Sequence, residues 1–278
     1  MTVAGSESHA FEIKTRRRFA FGDNWARFLA KVDEPRIEEA KASLTQMLGL
    51  PSLQGKSFLD AGSGSGLFSL AARRLGARVH SFDYDAQSVA CTREMRCRYF
   101  DDDPQWTVES GSVLDAGYLA SLGKFDIVYS WGVLHHTGAM WQALENIATL
   151  VAAQGKLFVA IYNDQSWVSR YWLLVKRSYV AHRLLRWPLL WLHAPYLIGV
   201  RWLVRTIAGK PGLDRGMSMW HDMVDWIGGY PFETARPEAI FRFYRDRGFT
   251  LQEMKTCGGR HGCNELVFLR GRKEVDGD

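Results

Sequence analysis

Apolar and polar positions along the chain alternate between the spacings of strands and of helices. Five short apolar runs, each bounded by glycine or polar residues, predict strands over 57–61, 78–82, 106–109, 125–130 and 155–162. Between them, apolar residues at helical spacing predict helices from Leu67 to Leu75, over 86–100 and over 141–151. Strands that alternate with helices predict a parallel, doubly wound sheet.

The pattern changes toward both ends of the chain. Apolar residues recur at helical spacing over 24–50, where Pro35 predicts a division into two helices. The alternation stops near Asn163 and resumes with a helix over 237–247. Two further strands are predicted over 248–255 and 264–269. They are expected to form a hairpin, so a large insertion precedes the closing elements of the sheet.

The composition is that of a soluble globular protein, with 278 residues of which 47% are apolar and 23% charged. The four cysteines are Cys91, Cys97, Cys257 and Cys263. None belongs to a Cys-x-x-Cys pair, and no apolar signal-peptide core follows the N-terminal charges. We therefore predict reduced thiols in a cytoplasmic protein. No run of about 18 uncharged apolar residues occurs, so no membrane-spanning helix is expected.

A glycine-rich turn, Asp-Ala-Gly-Ser-Gly-Ser-Gly over 60–66, follows the first predicted strand and opens the next helix. Glycines let the backbone pass close to a ligand, and the following helix offers free N–H groups. The spacing differs from the Gly-x-Gly-x-x-Gly of nicotinamide enzymes, and Asp60 would suit a cationic amino group better than a pyrophosphate. Asp83 ends the second strand about 20 residues further on, where a carboxylate can bind both ribose hydroxyls.

Three more segments continue this pattern. They are Phe-Asp-Tyr-Asp over 82–85, Gly-Ser-Val-Leu-Asp over 111–115, and Phe-Asp-Ile-Val-Tyr-Ser over 125–130, which runs into Val-Leu-His-His at 133–136. Together with the glycine turn, they resemble the Rossmann-like class I methyltransferases, which use S-adenosylmethionine. The likeness is closest to the subgroup around the ubiquinone-biosynthesis O-methyltransferases.

The resemblance implies a site for S-adenosylmethionine. The positions concerned are Trp25, Asp60, Gly62, Ser63, Gly64, Gly66, Asp83, Tyr84, Ser112, Val113, Ser130 and Trp131. The glycines would line the methionine and ribose part, and Asp83 would hold the ribose, with Tyr84 beside the adenine. Ser112 and Val113 would face the adenine, although many relatives have an acid in place of Ser112. Ser130 and Trp131 would lie near the methionine end, with Trp25 as a lid.

The resemblance also implies the overall organisation. We expect an α/β fold with a doubly wound, mostly parallel seven-stranded Rossmann-like sheet and a helical cap inserted before the last two strands. Its predicted parts are an N-terminal helical lid segment (1–50), a cofactor-binding core (51–162), a helical cap (163–236), and a closing helix with a strand hairpin (237–278).

Three histidines are candidate catalytic bases: His136, His221 and His261. His135 and His136 follow the fourth strand, at the edge where ligands bind in open α/β sheets, and histidine titrates near neutrality. His221 and Asp225 lie one helical turn apart, which fits either a base with its orienting carboxylate or an exposed polar face. Two ligands do not make a metal site, so we assign no metal. His261 lies in a glycine-rich loop beside Arg260, which could pair with an anionic acceptor group.

Residues 167–210 are rich in tryptophan, leucine and basic side chains, and Pro188 and Pro195 are expected to divide them into short helices. Eight Lys or Arg and no Asp or Glu lie between Gln165 and Leu213, in a chain of net charge +5. Three interpretations remain open: a helical cap over the acceptor site, peripheral contact with an anionic membrane, or contact with nucleic acid. The third is disfavoured because no Asn/Asp-Pro-Pro-aromatic motif, as in enzymes that methylate base amines, follows the fourth strand.

The sequence therefore predicts S-adenosylmethionine-dependent methyl transfer to a small-molecule or lipid-linked acceptor, at oxygen. We expect a cytoplasmic enzyme, and peripheral membrane contact through 167–210 is left open. The alternatives are an RNA-modifying methyltransferase and a non-catalytic S-adenosylmethionine-binding partner subunit. The intact acid-plus-glycine turn argues against the partner subunit, because a binding loop that has lost its use is free to change. Acceptor identity and oligomeric state are left open.

Overall fold

The structure is a computed structural model. It describes residues 32–101, 103–200 and 219–272, together with 11–15, 17–19, 21, 22, 25 and 29. Seven strands form one sheet: β1 (Ser57–Ala61), β2 (Arg78–Asp83), β3 (Trp106–Ser110), β4 (Phe125–Trp131), β5 (Val151–Tyr162), β6 (Phe249–Lys255) and β7 (Cys263–Arg270).

The strand order in the sheet is β3-β2-β1-β4-β5-β7-β6. The pairs among β1 to β5 are all parallel, while β7 pairs antiparallel with both β5 and β6. This arrangement confirms the expected doubly wound, mostly parallel seven-stranded sheet and its closing hairpin. The order reverses between β1 and β4, and in open α/β sheets such a reversal opens a crevice at the carboxyl ends of the strands.

Nine α-helices lie within the described ranges. They are α1 (Glu34–Leu48), α2 (Leu67–Arg74), α3 (Ala86–Phe100), α4 (Ala116–Leu122), α5 (Met140–Thr149), α6 (Trp167–Ala181), α7 (Arg186–Ala194), α8 (Met219–Gly228) and α9 (Pro237–Arg245). Pro35 lies in the first turn of α1, where proline is tolerated because that N–H has no helical partner, and Asp33 caps the helix. Pro35 thus lies at the start of α1, and most residues of the helix predicted before it lie outside the described residues. None of the described helices is long and apolar enough to cross a membrane.

The sheet carries an apolar layer on each face, because successive side chains of a strand point to opposite sides. Phe58 packs in the layer that α1, α2 and α3 cover, whereas its neighbour Leu59 packs under α4, α5 and α9. Both side chains are fully buried. The ends of β1 are therefore fixed from both faces, and with them the glycine turn that follows.

Helices α6, α7 and α8 form a third apolar cluster beyond the end of β5, centred on Trp172, Val175 and Ile227. Pro195 ends α7, as expected, whereas Pro188 lies inside its first turn. The chain leaves the sheet and returns to it at one place. Asn163 forms a parallel bridge with Ala235, and the Ala235 N–H donates to the Tyr162 carbonyl at 3.0 Å. All four cysteines are free thiols, as predicted.

Candidate active site

A cavity of about 1330 Å³ opens at the carboxyl ends of β1, β2 and β4. Sites for small molecules span roughly 300–1,000 Å³, so the cavity can hold a nucleoside-sized ligand together with a second molecule. One end is lined by the glycine turn and by residues after β2 and β3. The other end is lined by residues after β5, by the helical segment between β5 and α9, and by the β6–β7 loop.

The glycine turn approaches its neighbours too closely for larger side chains. Gly62, Gly64 and Gly66 all have positive φ, at 90°, 54° and 79°. A Cβ on Gly62 would lie 2.4 Å from the methyl groups of Val133, and one on Gly64 would lie 3.1 Å from the Trp25 ring. Real Cβ atoms essentially never come within 3.0 Å of another atom, so Gly62 is required for space. At Gly64 the contact is tight, and its positive φ also favours glycine.

Asp83 ends β2 as a buried acceptor that faces the glycine turn. Its Oδ2 accepts from the Gly64 N–H and its Oδ1 from the Asp85 N–H, each at 2.9 Å. Burial raises the pKa of Asp83 to about 6, although these two hydrogen bonds favour the ionised form. Each carboxylate oxygen keeps a second lone pair, and the residue lines the cavity, so Asp83 can accept two hydroxyl hydrogen bonds.

Asp60 is 2% exposed at the end of β1 and contributes to the cavity lining. Its Oδ2 accepts from the Ser69 hydroxyl at 2.5 Å, and Ser69 is hydrogen-bonded to Ser81 at 2.8 Å. Burial raises the pKa of Asp60 to about 7; the Ser69 hydrogen bond opposes this rise, and the charge of Asp83 adds to it. Ionised Asp60 and Asp83 together would stabilise a cation in the cavity.

The cavity wall on the β3 side carries Tyr84, Ser112 and Val113. The Ser112 hydroxyl accepts from the Leu114 N–H at 3.2 Å, and the Val113 carbonyl accepts from the Asn146 side-chain amide at 2.8 Å. These bonds fix the loop after β3. Ser112 is therefore present in the wall as predicted from the resemblance, with its hydroxyl already hydrogen-bonded to the loop backbone.

Ten of the twelve predicted cofactor residues line the cavity, and the structure places Ser130 and Gly66 elsewhere. Ser130 is fully buried, and its hydroxyl donates to the Ala61 carbonyl at 2.8 Å, which ties β4 to β1. A Cβ on Gly66 would lie 3.0 Å from the Thr92 Cα, so Gly66 permits the close packing of α2 on α3. Trp131, one residue after Ser130, faces the cavity because side chains alternate along a strand.

The N-terminal segment covers the cavity at more points than the sequence predicts. Arg18 donates to the His136 carbonyl at 2.6 Å, and its guanidinium lies 5.4 Å from the centre of the Tyr84 ring. Phe21 packs on the His136 ring at 4.9 Å, and Trp25 lies over Gly64. The basic run that contains Arg18 is indistinguishable in sequence from a flexible start, so nothing in it signals this role.

His136 is buried in the cavity wall. Its Nδ1 donates to the Pro231 carbonyl at 2.6 Å, which leaves Nε2 as an acceptor. Burial lowers the pKa of His136 to about 3; the Pro231 hydrogen bond opposes this shift, and the charges of Lys176 and Arg18 add to it. His135 is fully buried outside the cavity lining and packs on the Tyr162 ring at 3.9 Å.

His261 lines the far end of the cavity, in the loop between β6 and β7. It is half-buried, so burial lowers its pKa, and the charge of Lys176 lowers it further. Lys176, which the sequence analysis did not single out, is fully buried, donates to the Trp226 carbonyl and lies 4.3 Å from the Trp226 ring centre. The backbone of His221 lies in α8, and its side chain and that of Asp225 fall outside the described residues.

Aromatic rings connect the two cavity-lining histidines. The His261 ring is 5.3 Å from Trp226, Trp226 is 5.4 Å from Tyr162, and Tyr162 is 5.5 Å from His136. Tyr162 could have been found from sequence, because it ends β5 beside β4 at the edge where ligands bind. Trp226 carries no such signal, because one tryptophan among many marks a core as readily as a site.

The donor end fits S-adenosylmethionine in shape and in chemistry. It combines a glycine turn on which a Cβ would collide with neighbours, an acceptor at the end of β2, and a second buried carboxylate for a positive charge. Fold and site together define an open α/β enzyme of the nucleoside-cofactor class. A family model described as a methyltransferase domain matches residues 32–202, more than half of the chain. The chain therefore belongs to the methyltransferase domain family; it is an S-adenosylmethionine-dependent methyltransferase.

Solved structures share the fold at low sequence identity. Magnesium protoporphyrin IX methyltransferase from Synechocystis PCC 6803, crystallised with S-adenosylhomocysteine, aligns with a TM-score of 0.53 at 16% identity, over 90% of this chain and 94% of that one. The putative methyltransferase of Haloferax volcanii in complex with the Trm112 activator aligns with a TM-score of 0.53 at 15% identity, over 90% and 96%. A search of curated proteins gave no match.

An O-methyltransferase family protein from Burkholderia thailandensis aligns with a TM-score of 0.50 at 16% identity, over 79% of this chain and 52% of that chain. At these identities the likenesses concern the fold. They bear out the fold, whereas the class of enzyme rests on the family model that matches residues 32–202.

Proposed function

We propose that the protein transfers the methyl group of S-adenosylmethionine to a hydroxyl oxygen of a small or lipid-linked acceptor, as the resemblance to the ubiquinone-biosynthesis O-methyltransferases implies. The observation that carries this proposal is the continuity of the cavity. It runs from the glycine turn to an aromatic end lined by Tyr162, Tyr196 and Trp226. A donor and an acceptor can therefore meet inside one enclosed space.

The donor end would hold the cofactor through its own polar groups. Asp83 would accept from the ribose hydroxyls, and Asp60 would face the positive charge of the methionine part. Tyr84 and Val113 would flank the adenine, while Trp25 would cover the glycine turn. S-adenosylmethionine supplies a methyl group that is already activated on a sulfonium, so alignment of the acceptor is the main requirement on the protein.

The acceptor end favours a molecule with an apolar or planar body. Its wall consists of Tyr162, Tyr196, Leu197, Met223 and Trp226, with Arg260 at the mouth. Aromatic walls bind flat apolar groups through their faces and edges, and the Arg260 guanidinium can pair with a carboxylate or phosphate. This combination supports a lipid-linked or aromatic acceptor that carries an anionic group.

The two histidines in the cavity wall differ in how deeply they are buried, and we assign them different roles for that reason. The pKa of His136, about 3, makes it a weak base at neutral pH, so its Nε2 would orient the acceptor by accepting a hydrogen bond from a polar group other than the reacting hydroxyl. His261 is less buried and remains the stronger base of the two. As methyl transfer forms the new O–CH₃ bond, His261 would take the hydroxyl proton, and S-adenosylhomocysteine would leave.

Replacing His261 by glutamine is expected to lower kcat by about 10²- to 10⁴-fold, the usual contribution of a general base. Because burial holds the His261 pKa below its usual 6.5, the wild-type rate should be flat above that pH and fall on acidification. The variant should lose this acidic limb. Initial rates from pH 5 to 9 test both points, with His80→Gln, a residue outside the cavity lining, as the control. A variant that keeps both the rate and the acidic limb would exclude His261 as the base.

The acceptor class can be identified by a transfer assay with methyl-labelled cofactor on extracts separated into lipid, small-molecule and RNA pools. Label in the lipid or small-molecule pool, stable to the treatments that cleave methyl esters and sulfonium salts, is the expected result. Label in RNA would replace the proposal with the nucleic-acid alternative. Binding of the cofactor with no label in any pool would favour a partner subunit that binds the cofactor without catalysis.

A further inference from the structure

Helix α7 presents an apolar stripe to solvent. The residues of the stripe recur at positions three or four apart, from two residues before the helix to one residue after it. They are Leu184, Trp187, Pro188, Trp191, Leu192 and Pro195. Leu184 is 91% exposed, and Trp187, Trp191 and Leu192 are each more than 60% exposed. Residues at this spacing share one helix face, so the stripe is continuous.

The opposite face of α7 is fixed against the rest of the segment. Leu190 and His193 are buried. The Tyr171 hydroxyl donates to His193 Nε2 at 2.5 Å, and His193 Nδ1 donates to the Leu189 carbonyl at 2.7 Å. The His193 ring also packs on Trp172 at 5.1 Å. The edge of the stripe touches Trp220 of α8, whose ring lies 6.4 Å from Trp187 and 6.0 Å from Trp191. Because these contacts hold the helix, rotation cannot bury the rest of the stripe, and its exposed part remains outward.

The neighbouring surface is basic. Arg170 and Arg177 on α6, and Arg183 just before α7, are exposed. No Asp or Glu occurs from Gln165 to Leu213, so the sequence provides no acid within this segment to neutralise them. A basic surface around exposed tryptophan and leucine is the pattern of helices that lie in the headgroup region of an anionic membrane.

The stripe leads directly to the acceptor end of the cavity. The helical turn Pro195–Val200 follows α7 without interruption, and its Tyr196 and Leu197 line the cavity. Tyr196 is itself 51% exposed, so it lies both at the surface and in the cavity wall. A molecule bound at the stripe would therefore lie next to Tyr196, at the acceptor end of the cavity.

We propose that the face formed by α6 and α7 docks on the surface of an anionic lipid bilayer, with the stripe in the headgroup region and the arginines on lipid phosphates. A second copy of the chain fits this face less well, because a symmetric contact would bring two basic surfaces together with no acid between them. Nucleic acid fits less well, because leucine and proline offer nothing to a phosphate backbone. The docking itself does not depend on the proposed function, although it would deliver a lipid-linked acceptor to the site.

The test is flotation of the full-length protein, without cofactor or acceptor, with vesicles of phosphatidylcholine alone or mixed with phosphatidylglycerol. We expect binding to the anionic vesicles, weaker binding at high salt, and none to phosphatidylcholine alone. The double variant Trp187→Ser/Trp191→Ser should lose binding, whereas Trp141→Ser, which removes a partly exposed tryptophan from α5, should not. Arg177→Glu/Arg183→Glu should weaken binding roughly tenfold or more, because it replaces two positive charges by negative ones at an anionic surface. Arg245→Glu, on α9, is its matched control.

Calorimetric binding of S-adenosylmethionine serves as the folding check, because no substituted residue of the face lines the cavity. Wild-type protein that remains unbound with anionic vesicles would overturn the docking proposal. So would equal binding by Trp187→Ser/Trp191→Ser and by wild type. A wild-type dimer in analytical ultracentrifugation that dissociates on Trp191→Glu would assign the stripe to a second copy instead. Methyl transfer enters none of these measurements, so a failure of the proposed function would leave the docking result unchanged.

Discussion

Replacing Gly64 by arginine abolishes binding of S-adenosylmethionine while the protein remains folded. Gly64 has a φ of 54°, and a Cβ at this position already lies 3.1 Å from the Trp25 ring. The rest of an arginine side chain has to enter the donor end of the cavity, where it places a positive charge against a cationic ligand. Both the space and the electrostatic complementarity of the site are then lost. Isothermal titration calorimetry measures the loss, and circular dichroism checks the fold.

The matched control for this variant is Gly55→Arg. Gly55 also has positive φ, at 74°, but a Cβ there has nothing within 4 Å. Both variants bear the cost of a left-handed non-glycine residue, about 1–2 kcal/mol, and only Gly64→Arg enters the cavity. Equal affinity of the two variants for the cofactor would show that the glycine turn does not hold the ligand.

Replacing Asp60 by asparagine is expected to stabilise the cofactor-free protein at pH 8 and to weaken cofactor binding. In the folded protein the pKa of Asp60 is about 7, compared with 3.8 for the free side chain. The folded state therefore binds its proton more tightly than the unfolded state does. The contribution of Asp60 to the free energy of unfolding is thus largest at low pH and is lost as the pH rises through about 7. The loss amounts to on the order of 2–4 kcal/mol, and asparagine avoids it.

Chemical denaturation of the cofactor-free protein at pH 5 and pH 8 tests the effect on stability. The gain from Asp60→Asn should be large at pH 8 and small at pH 5. Asp126→Asn is the contrasting control: burial opposes ionisation of Asp126, but the N–H and hydroxyl of Ser57 outweigh it and lower its pKa. That variant should lose stability at pH 8. A loss of stability for Asp60→Asn at pH 8 would contradict a raised pKa at Asp60.

Cofactor affinity should respond to pH in the opposite direction. S-adenosylmethionine carries positive charge, and it binds best when Asp60 and Asp83 are ionised, so wild-type affinity should rise from pH 5.5 to pH 8. Asparagine at position 60 removes one of the two charges and should flatten this rise. Calorimetry in two buffers of different ionisation enthalpy measures the affinity and the protons released. A wild-type affinity that is independent of pH would contradict a role for these carboxylates in cofactor binding.

Much of the fold follows from local sequence. The strand Ser57–Ala61 and the helix Ala86–Phe100 have the bounds predicted from their apolar spacing, because glycine and a capping Asp85 mark where they begin and end. Helix Ala116–Leu122 was missed, because its seven residues bury only Leu119 and leave no period to detect. Pro35 was expected to separate two helices, and it lies in the first turn of α1, where proline is favoured.

The two ends of the site differ in how far sequence can predict them. The donor end is built from short segments that each follow a strand, and the carboxyl ends of parallel strands meet at one edge of the sheet, so local sequence already places these segments together. Ser130 and Trp131 were both predicted to lie near the methionine end, but neighbouring residues of a strand point to opposite faces, and of the two only Trp131 lines the cavity. At the acceptor end, Tyr196, Trp226 and His261 meet only because α6, α7 and α8 pack on one another and on the β6–β7 loop, and no local spacing encodes that contact.

The bridge between Asn163 and Ala235 affects how freely the chain between these two residues can change in length and sequence. The backbone holds these two positions side by side. The entropic cost of closing the segment between them therefore depends only weakly on its length and rises by about 0.6 kcal/mol for each doubling. Helices can therefore be lengthened, shortened or exchanged between these two points at small cost to folding. Residues 164–234 can therefore diverge while the strands that position the glycine turn keep their pairing.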